Sequence, residues 1–241
     1  MNQCKLCQQE RKLCRSHIIP EWAYRPLYDQ SGSALALSSE EKRQQKVQTG
    51  LWDRLFCVDC DQYLNHELDQ PFHRFWTASD RFPPIINRSY VTIGGIAYEA
   101  TKRFLLSILW RAHVASKPVV SAVDLGPHAD RIRSILLTPH DKDLGDGYPI
   151  FCYALRDPDT GGLAKQFVLT PVRKRTKGQW NYEVAFLGCA WKVFVSSSPP
   201  PLPESCSLKT DGTIVIPVVS FKEFAAIRHV LKVHTAGGSK A

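Results

Sequence analysis

The sequence predicts an α+β fold in two parts: a small cysteine-stapled N-terminal domain over residues 1–90 and a basic α+β domain over residues 91–241. Two observations support this division. Four of the eight cysteines fall in two closely spaced pairs near the N-terminus. After residue 90, a long helical pattern is followed by strand-like segments separated by turn residues. A length of 241 residues suits one large domain or two small ones.

The cysteine pairs are Cys4-x-x-Cys7 and Cys57-x-x-Cys60, and 49 residues separate them. Each pair can form a turn that directs two thiolates at one metal, and two such turns complete a tetrahedral zinc shell. Apolar residues at helical spacing predict a helix that begins near the second pair and ends at Pro71 or soon after. A turn and a helix of this kind are the plan of a treble-clef finger. The sequence therefore predicts a structural Zn²⁺ site, the alternative being that one pair is coincidental and its thiols are merely buried.

The other cysteines show no pairing pattern and are expected to be small buried side chains. They are Cys14, Cys152, Cys189 and Cys206. Residues 29–50 are polar and are expected to form a loop with one short exposed helix.

The charge of the chain is basic and unevenly distributed. Lys and Arg number 31 against 23 Asp and Glu, and the formal net charge is +8. Residues 1–90 carry +1 of this excess and residues 91–241 carry +7. A basic balance favours an anionic partner, with nucleic acid before a membrane surface. The start of the chain is polar, and the longest apolar run, Phe104–Trp110, is far shorter than the roughly 20 residues that span a bilayer. The expectation is a cytoplasmic protein without a membrane partner.

His17 lies between the cysteine pairs, in the segment Ser16-His17-Ile18-Ile19-Pro20. β-branched residues before a proline predict a strand that ends there and directs the imidazole at the helix. In motif order and spacing, residues 4–70 resemble the HNH endonucleases whose ββα-metal core is stapled by two C-x-x-C pairs. The resemblance implies metal-dependent hydrolysis of phosphodiester bonds, with double-stranded DNA as substrate. It also implies that His17 is the general base and that Mg²⁺ or Mn²⁺ is the catalytic metal.

The chain departs from the family pattern at three positions. Asp53 is nearest to the middle position of the motif, Asp61 takes the last position instead of His or Asn, and Ser16 stands where many members have an acidic ligand. Asp61 and Asn65 are spaced i, i+4 on the predicted helix and can share a cation through oxygen ligands. The candidate catalytic residues are therefore His17, Asp53, Asp61 and Asn65, and the candidate ligands of the catalytic metal are Asp61, Asn65 and His66.

Structural alternatives exist for each of these helix residues. Asp61 can instead complement the helix dipole. Glu67, beside His66, offers a competing face but is better explained as a solvated charge or as a partner of Arg54 or Arg74. A degenerate site that binds nucleic acid without cutting it is a further alternative.

The second part of the chain begins with the strongest predicted helix, residues 95–117, which carries Arg111 on an apolar face. Such an arginine needs a buried partner and is expected to tie the two parts together. A second helix is predicted over residues 129–137. Strands are predicted at 149–155, 166–173, 182–188, 190–196 and 213–219, as a mostly antiparallel sheet, before a closing helix over 221–233.

A cationic hairpin tip is predicted within this sheet, and its residues are the candidate nucleic-acid contacts. They are Arg173, Lys174, Arg175, Lys177 and Trp180. Cations neutralise phosphates, and the indole can stack on a base; the alternative is a solubilising turn. The aromatic residues at strand spacing are expected in the core: Trp180, Phe186, Trp191 and Phe194.

Three functions follow from the sequence. The leading one is an HNH endonuclease acting in phage defence, restriction or a mobile element. The alternatives are a non-catalytic zinc-dependent binding module and an effector that a companion protein switches on. Many HNH nucleases act as homodimers, and a homodimer is possible here, although no heptad pattern indicates one.

Overall fold

The computed structural model describes residues 2–36, 45–78, 82–138, 147–196, 202–224 and 228. These residues form a mixed α+β protein, as the sequence predicts. Short antiparallel strand pairs lie at the N-terminal end, and a six-stranded sheet forms the C-terminal half. Helices follow the N-terminal strand pairs, and two more lie between the first and second strands of the sheet along the chain.

Six short strands form the N-terminal pairs. They are β1 (Asn2–Gln3), β2 (Glu10–Arg11), β3 (Leu13–His17), β4 (Ala34–Ala36), β5 (Gln45–Val47) and β6 (Trp52–Cys57). Strand β1 pairs with β2, β3 with β6, and β4 with β5, all antiparallel. Strand β3 ends at His17, three residues before the predicted end at Pro20, although the Ile18 N–H still donates to the Leu51 carbonyl at 3.0 Å. The prediction of a loop over residues 29–50 is wrong at β4 and β5, which pair with each other. The intervening residues 37–44 lie outside the described part.

Strand β6 runs directly into a helical segment of three parts. It comprises α1 (Val58–Leu64), a π-helical turn (Asn65–Asp69) and α2 (Gln70–Thr77). The sequence predicts an end near Pro71, but the helix continues to Thr77. Pro71 has no N–H to donate to the preceding turn. The wider π turn, in which Gln70 N donates to the Asn65 carbonyl, comes just before the proline and lets the helix continue through it.

The long predicted helix is present as α3 (Tyr98–Val114), and α4 (His128–Leu137) follows it. Residues 101–112 of α3 are all buried, so α3 is a central helix and not a surface one. Arg111 is among them and forms two hydrogen bonds to Asp69, of 3.0 and 2.8 Å. The prediction that Arg111 ties the two parts of the chain together is confirmed.

The C-terminal sheet has the strand order β7-β12-β8-β11-β10-β9. Its strands are β7 (Tyr90–Ile93), β8 (Ile150–Arg156), β9 (Leu169–Thr176), β10 (Gln179–Phe186), β11 (Cys189–Phe194) and β12 (Ile214–Ser220). All neighbours are antiparallel except β12 and β8, which are parallel. The mostly antiparallel sheet is therefore confirmed. Strands β9 and β10 lie about three residues from their predicted positions, because the two-residue turn Lys177–Gly178 has positive φ at both residues and extends the ladder to the tip.

One apolar core joins the N-terminal strands, the helices and the sheet. Phe72 of α2 is at its centre, with its ring centroid 4.0 Å from that of Phe104 in α3. Trp22 and Trp191 pack on the same ring at centroid distances of 6.1 and 5.8 Å. The predicted boundary at residue 90 coincides with the start of β7, and the core continues across it.

The predicted core residues are buried in most cases. Phe186, Trp191 and Phe194 are buried, whereas Trp180 is 39% exposed, which makes that prediction wrong. Of the unpaired cysteines, Cys152 and Cys189 are buried, and Cys14 and Cys206 are half-buried. Of the predicted closing helix, residues 221–223 form a 3₁₀ turn, and most of the remainder lies outside the described residues.

Candidate metal centre and catalytic site

The two cysteine pairs converge on one point. The sulfur atoms of Cys4, Cys7, Cys57 and Cys60 all lie within 4.8 Å of one another, and those of Cys7 and Cys57 are 4.0 Å apart. A tetrahedral zinc ion with Zn–S bonds of about 2.3 Å places its sulfurs about 3.8 Å apart. The four thiols therefore match a closed structural shell that could hold a metal ion such as zinc. Among the described residues, they are the one group of three or more His, Cys, Asp or Glu side chains that converges in this way.

Backbone N–H groups favour the thiolate form at this centre. Burial raises the pKa of Cys4, but hydrogen bonds from the backbone of Cys57, Cys7 and Leu6 outweigh burial and lower it to about 7. The Cys57 N–H lies 3.3 Å from the Cys4 sulfur. Burial raises the pKa of Cys57 and of Cys60, so those two thiols depend on the metal itself to become thiolates.

Two contacts fix the turn that carries the first pair. Arg133 of α4 donates from Nε to the Leu6 carbonyl at 2.7 Å, and Arg11 of β2 forms an ion pair of 2.5 Å with Asp59 of α1. The first contact is half-buried and the second is exposed, so the Arg133 contact contributes more to the position of the turn.

His17 is the last residue of β3 and lies opposite Trp52 of β6. Its side chain is 28% exposed, and its Nε2 atom is buried. Burial lowers the pKa of the imidazole below its ordinary value near 6.5, although the carboxylates of Glu21 and Asp61 oppose this effect. The histidine is therefore neutral at pH 7, which is the form that can accept a proton.

Glu21 is a site residue that the sequence analysis missed. Its Oε2 lies 2.9 Å from His17 Nε2 and accepts a hydrogen bond of 3.0 Å from the Gly50 N–H. Its other oxygen accepts a hydrogen bond from the Tyr28 hydroxyl. These two hydrogen bonds hold the carboxylate in place on the side of the imidazole that carries Nε2. The i, i+4 spacing from His17 across Pro20 was the one signal in the sequence.

The buried ion pair of Arg111 and Asp69 lies behind His17. Arg111 also donates to the His17 carbonyl at 3.4 Å, so α3 contacts the backbone of the site through this one side chain. Burial raises the pKa of Asp69, and the Arg111 guanidinium acts in the opposite direction. The pair positions the end of β3 and does not face solvent.

Asp61 is the candidate metal ligand that the structure associates with His17. It is half-buried on α1, and its charge raises the pKa values of His17 and of Asp69. Mg²⁺ is commonly held by one or two carboxylates, with water and substrate phosphate completing its shell. A half-buried carboxylate fits such an ion through its donor type.

The other candidate residues are less closely associated with His17. Asp53 accepts hydrogen bonds from the N–H groups of Arg54 and Ser116, at 2.8 and 2.7 Å, and so anchors the end of α3 to β6. Asn65 is exposed, and its side-chain oxygen accepts a hydrogen bond of 3.3 Å from Gln70. His66 and Glu67 are exposed in the π turn.

The predicted cationic hairpin tip is formed by β9 and β10. Lys174 points at the buried Glu183, with an N–O distance of 2.6 Å, and Arg173 approaches Asp124 at 3.9 Å. Arg173 also covers one face of Trp180 at 3.8 Å, and Arg175 lies 4.9 Å from the same ring. A base can therefore stack on this indole only if a guanidinium moves. Lys177 is exposed at the turn.

One cavity in the described part of the chain lies away from these residues. It has a volume of about 320 Å³ and lies between the end of α2 and the turn that joins β10 to β11. Aromatic side chains including Phe72, Trp76 and Trp191 line it, and no candidate catalytic or metal residue does.

Within the described residues, no helix combines the length and the apolar character that crossing a bilayer requires.

Compared with protein-family models, with curated proteins and with solved structures, the chain gives no match. Its function is therefore inferred from the residues and geometry of the site.

Proposed function

We propose that this protein is an HNH-type metal-dependent endonuclease that hydrolyses phosphodiester bonds of double-stranded DNA, with His17 as general base. The observation that carries the proposal is the arrangement of β3, β6 and α1. A neutral histidine ends the first strand, the second strand leads directly into a helix that begins at the four-cysteine cluster, and Asp61 on that helix acts electrostatically on the histidine. This is the order and geometry expected of a zinc-stapled ββα-metal core.

The described residues support a simple division of labour. His17 takes a proton from the attacking water while the water oxygen bonds to phosphorus. The bond between phosphorus and the leaving oxygen then breaks. Because the Glu21 carboxylate lies 2.9 Å from Nε2, we assign the acceptance of this proton to the other ring nitrogen, Nδ1. The carboxylates of Glu21 and Asp61 stabilise the imidazolium that results.

A catalytic Mg²⁺ or Mn²⁺, held by Asp61 with help from Asn65 or His66, would neutralise charge on the phosphate and on the leaving oxygen. The four cysteines have a separate role. A structural Zn²⁺ bound to them would join the first turn of the chain to the N-terminus of α1 and so fix the helix against β3.

A second candidate function is a zinc-dependent module that binds nucleic acid without cutting it. The position of Asp53 favours it, because both carboxylate oxygens are used by backbone N–H groups. The exposure of Asn65 and His66 also favours it, because a rigid metal site normally has buried, supported ligands. A companion protein or a second copy that completes the site would reconcile these features with catalysis in phage defence or restriction.

The test is cleavage of supercoiled plasmid by the zinc-loaded protein with Mg²⁺ or Mn²⁺. We expect nicking by the wild-type chain and a loss of about 10²-fold or more in His17→Ala, since general bases contribute that much. His128→Ala is the matched control, because His128 of α4 contacts Tyr148 and not the site. Unchanged cleavage by His17→Ala would contradict the assignment. Binding without cleavage, for any metal and any DNA or RNA, would favour the second candidate.

A further inference from the structure

We propose that Arg15, Trp52 and Lys117 form a phosphate-binding surface beside His17, and that this surface holds the backbone of duplex nucleic acid. The inference goes beyond the proposed nuclease activity, because it assigns a binding site to residues outside the predicted cationic hairpin. It concerns affinity and not bond cleavage, so the two proposals can fail separately.

The first step is the register of β3 and β6. Arg15 lies opposite Arg54, and His17 lies opposite Trp52. Directly opposed residues of an antiparallel pair project on the same face, so Arg15, Arg54 and Trp52 share the face of the strand pair that carries His17. Arg15 and Arg54 are exposed, and Trp52 is half-buried.

The second step is the arrangement of charge around one indole. The Arg15 Cζ lies 4.1 Å from the ring centroid of Trp52, and the Lys117 Nζ lies 5.2 Å from it. Lys117 comes from the end of α3, where the Ser116 N–H is bound by Asp53 of β6. The ring thus holds two cations from different elements next to the candidate general base, in an orientation that the fold defines.

The third step is the lack of counter-charge. In the described part of the chain, no carboxylate comes within 4.0 Å of the side-chain nitrogens of Arg15, Arg54 or Lys117. Of the acids around the site, Asp53 accepts hydrogen bonds from two backbone N–H groups, and Glu21 and Asp61 act on His17. The β9–β10 hairpin differs, because Lys174 and Arg173 there face Glu183 and Asp124.

The fourth step is the position of this charge relative to His17. The Arg15 guanidinium is close enough to lower the pKa of His17. A phosphate held by Arg15 would therefore lie beside the imidazole that is proposed to activate water. A guanidinium supported by an aromatic face suits a phosphodiester, because its fork of N–H donors matches two phosphate oxygens.

The test is equilibrium binding of a fluorescent 20-base-pair duplex to the His17→Ala chain, measured by anisotropy at several salt concentrations. Arg15→Gln and Lys117→Gln, each made in that background, should weaken binding about eightfold at 0.1 M salt. Each should also reduce the slope of log K against log salt by about 1, as loss of one phosphate contact predicts. Arg15→Lys should keep the slope of the parent.

Arg131→Gln is the matched control, because Arg131 is exposed and lies over an aromatic ring, that of Tyr148, at 5.7 Å. It should bind like the parent. Unchanged affinity and slope in both Arg15→Gln and Lys117→Gln would overturn the proposal. An equal loss of affinity in Arg131→Gln would also overturn it, and so would a His17→Ala chain that does not bind the duplex. Equal unfolding midpoints establish that the variants are folded. If Arg15→Gln is not folded, Arg15→Lys provides the comparison. If the His17→Ala chain binds DNA through Arg15 and Lys117 but the wild-type chain never cleaves it, only the nuclease proposal is refuted.

Discussion

At the scale of single residues, the candidate site depends on how His17 is held. Its imidazole is buried enough to stay neutral and lies against a carboxylate that is itself fixed by Tyr28 and Gly50. Replacing Gly50 would disturb this arrangement, since a Cβ there would lie 2.4 Å from the Tyr24 ring. The imidazole, the neighbouring carboxylate and the backbone that supports it form one unit.

The first prediction concerns the titration of His17. Glu21→Gln removes a negative charge that favours the imidazolium, so the pKa of His17 should fall further below its ordinary value near 6.5. The acidic limb of the pH–rate profile should move to lower pH. NMR titration of the eight histidines, with His17→Asn to assign the signal, measures the shift without any activity. Glu67→Gln, at an exposed glutamate, should leave it unchanged; a rise in Glu21→Gln would contradict the arrangement.

The second prediction concerns the Asp69–Arg111 pair. Both side chains are almost fully buried, so Arg111→Met leaves an uncompensated carboxylate and should destabilise the protein by about 3–5 kcal/mol. Urea denaturation measures this loss. Arg11→Gln breaks the exposed pair with Asp59 and should cost less than about 1 kcal/mol. Equal effects of the two substitutions would show that burial does not govern these pairs.

At the scale of elements, the sequence predicted most of what local patterns determine. The paired cysteines, the strand before Pro20, the two helices after residue 95 and the five predicted strands of the sheet are all present, whereas the strand Tyr90–Ile93 was not predicted. The errors arise where distant contacts decide. The helix passes Pro71 because a π turn precedes the proline, and Glu21 joins the site because the chain folds back after Pro20. Asp53 was assigned by its place in the motif, whereas its carboxylate binds the backbone after α3.

The third prediction concerns the element that the cysteines stabilise. Metal analysis should find one zinc ion per chain at the four-cysteine cluster, and Cys57→Ser with Cys60→Ser should abolish it. Hydrogen exchange should then increase in β1, β2 and α1, because the turns lose their cross-link. Cys206→Ser, at a half-buried thiol outside the cluster, should retain the metal. A zinc-free wild-type chain purified from zinc-replete cells would contradict the assignment.

At the scale of the whole molecule, one core connects the candidate site to the sheet. The aromatic cluster around Phe72 includes rings from the N-terminal segment, from α3 and from two strands of the sheet. The net charge of +8 reflects residues after 90, yet the unopposed cations nearest to His17 lie on β3, on β6 and after α3. Composition indicated an anionic partner, and only the three-dimensional arrangement indicated where it would bind.

The fourth prediction concerns cooperativity. Phe72→Ala should destabilise the protein by about 3–5 kcal/mol, the range for a buried phenylalanine. Because the core is continuous, slowly exchanging amides in β3 and in β10 should lose equal protection. Tyr90→Ala, at an aromatic side chain that is 63% exposed, should change stability by no more than about 0.5 kcal/mol. Loss of protection confined to the N-terminal strands would indicate two separate folding units.

The long interval between the cysteine pairs affects how the protein is made. Cys7 and Cys57 are separated by 49 residues, and their sulfurs lie 4.0 Å apart. A cross-link that closes a loop of this length removes about 4 kcal/mol of chain entropy from the unfolded state. A newly synthesised chain without metal must close this loop through the apolar core, the β3–β6 ladder and polar contacts such as the Arg11–Asp59 ion pair. A zinc ion bound at the cluster would assist this closure, so the supply of metal during biosynthesis would affect how readily β3 and α1 come together.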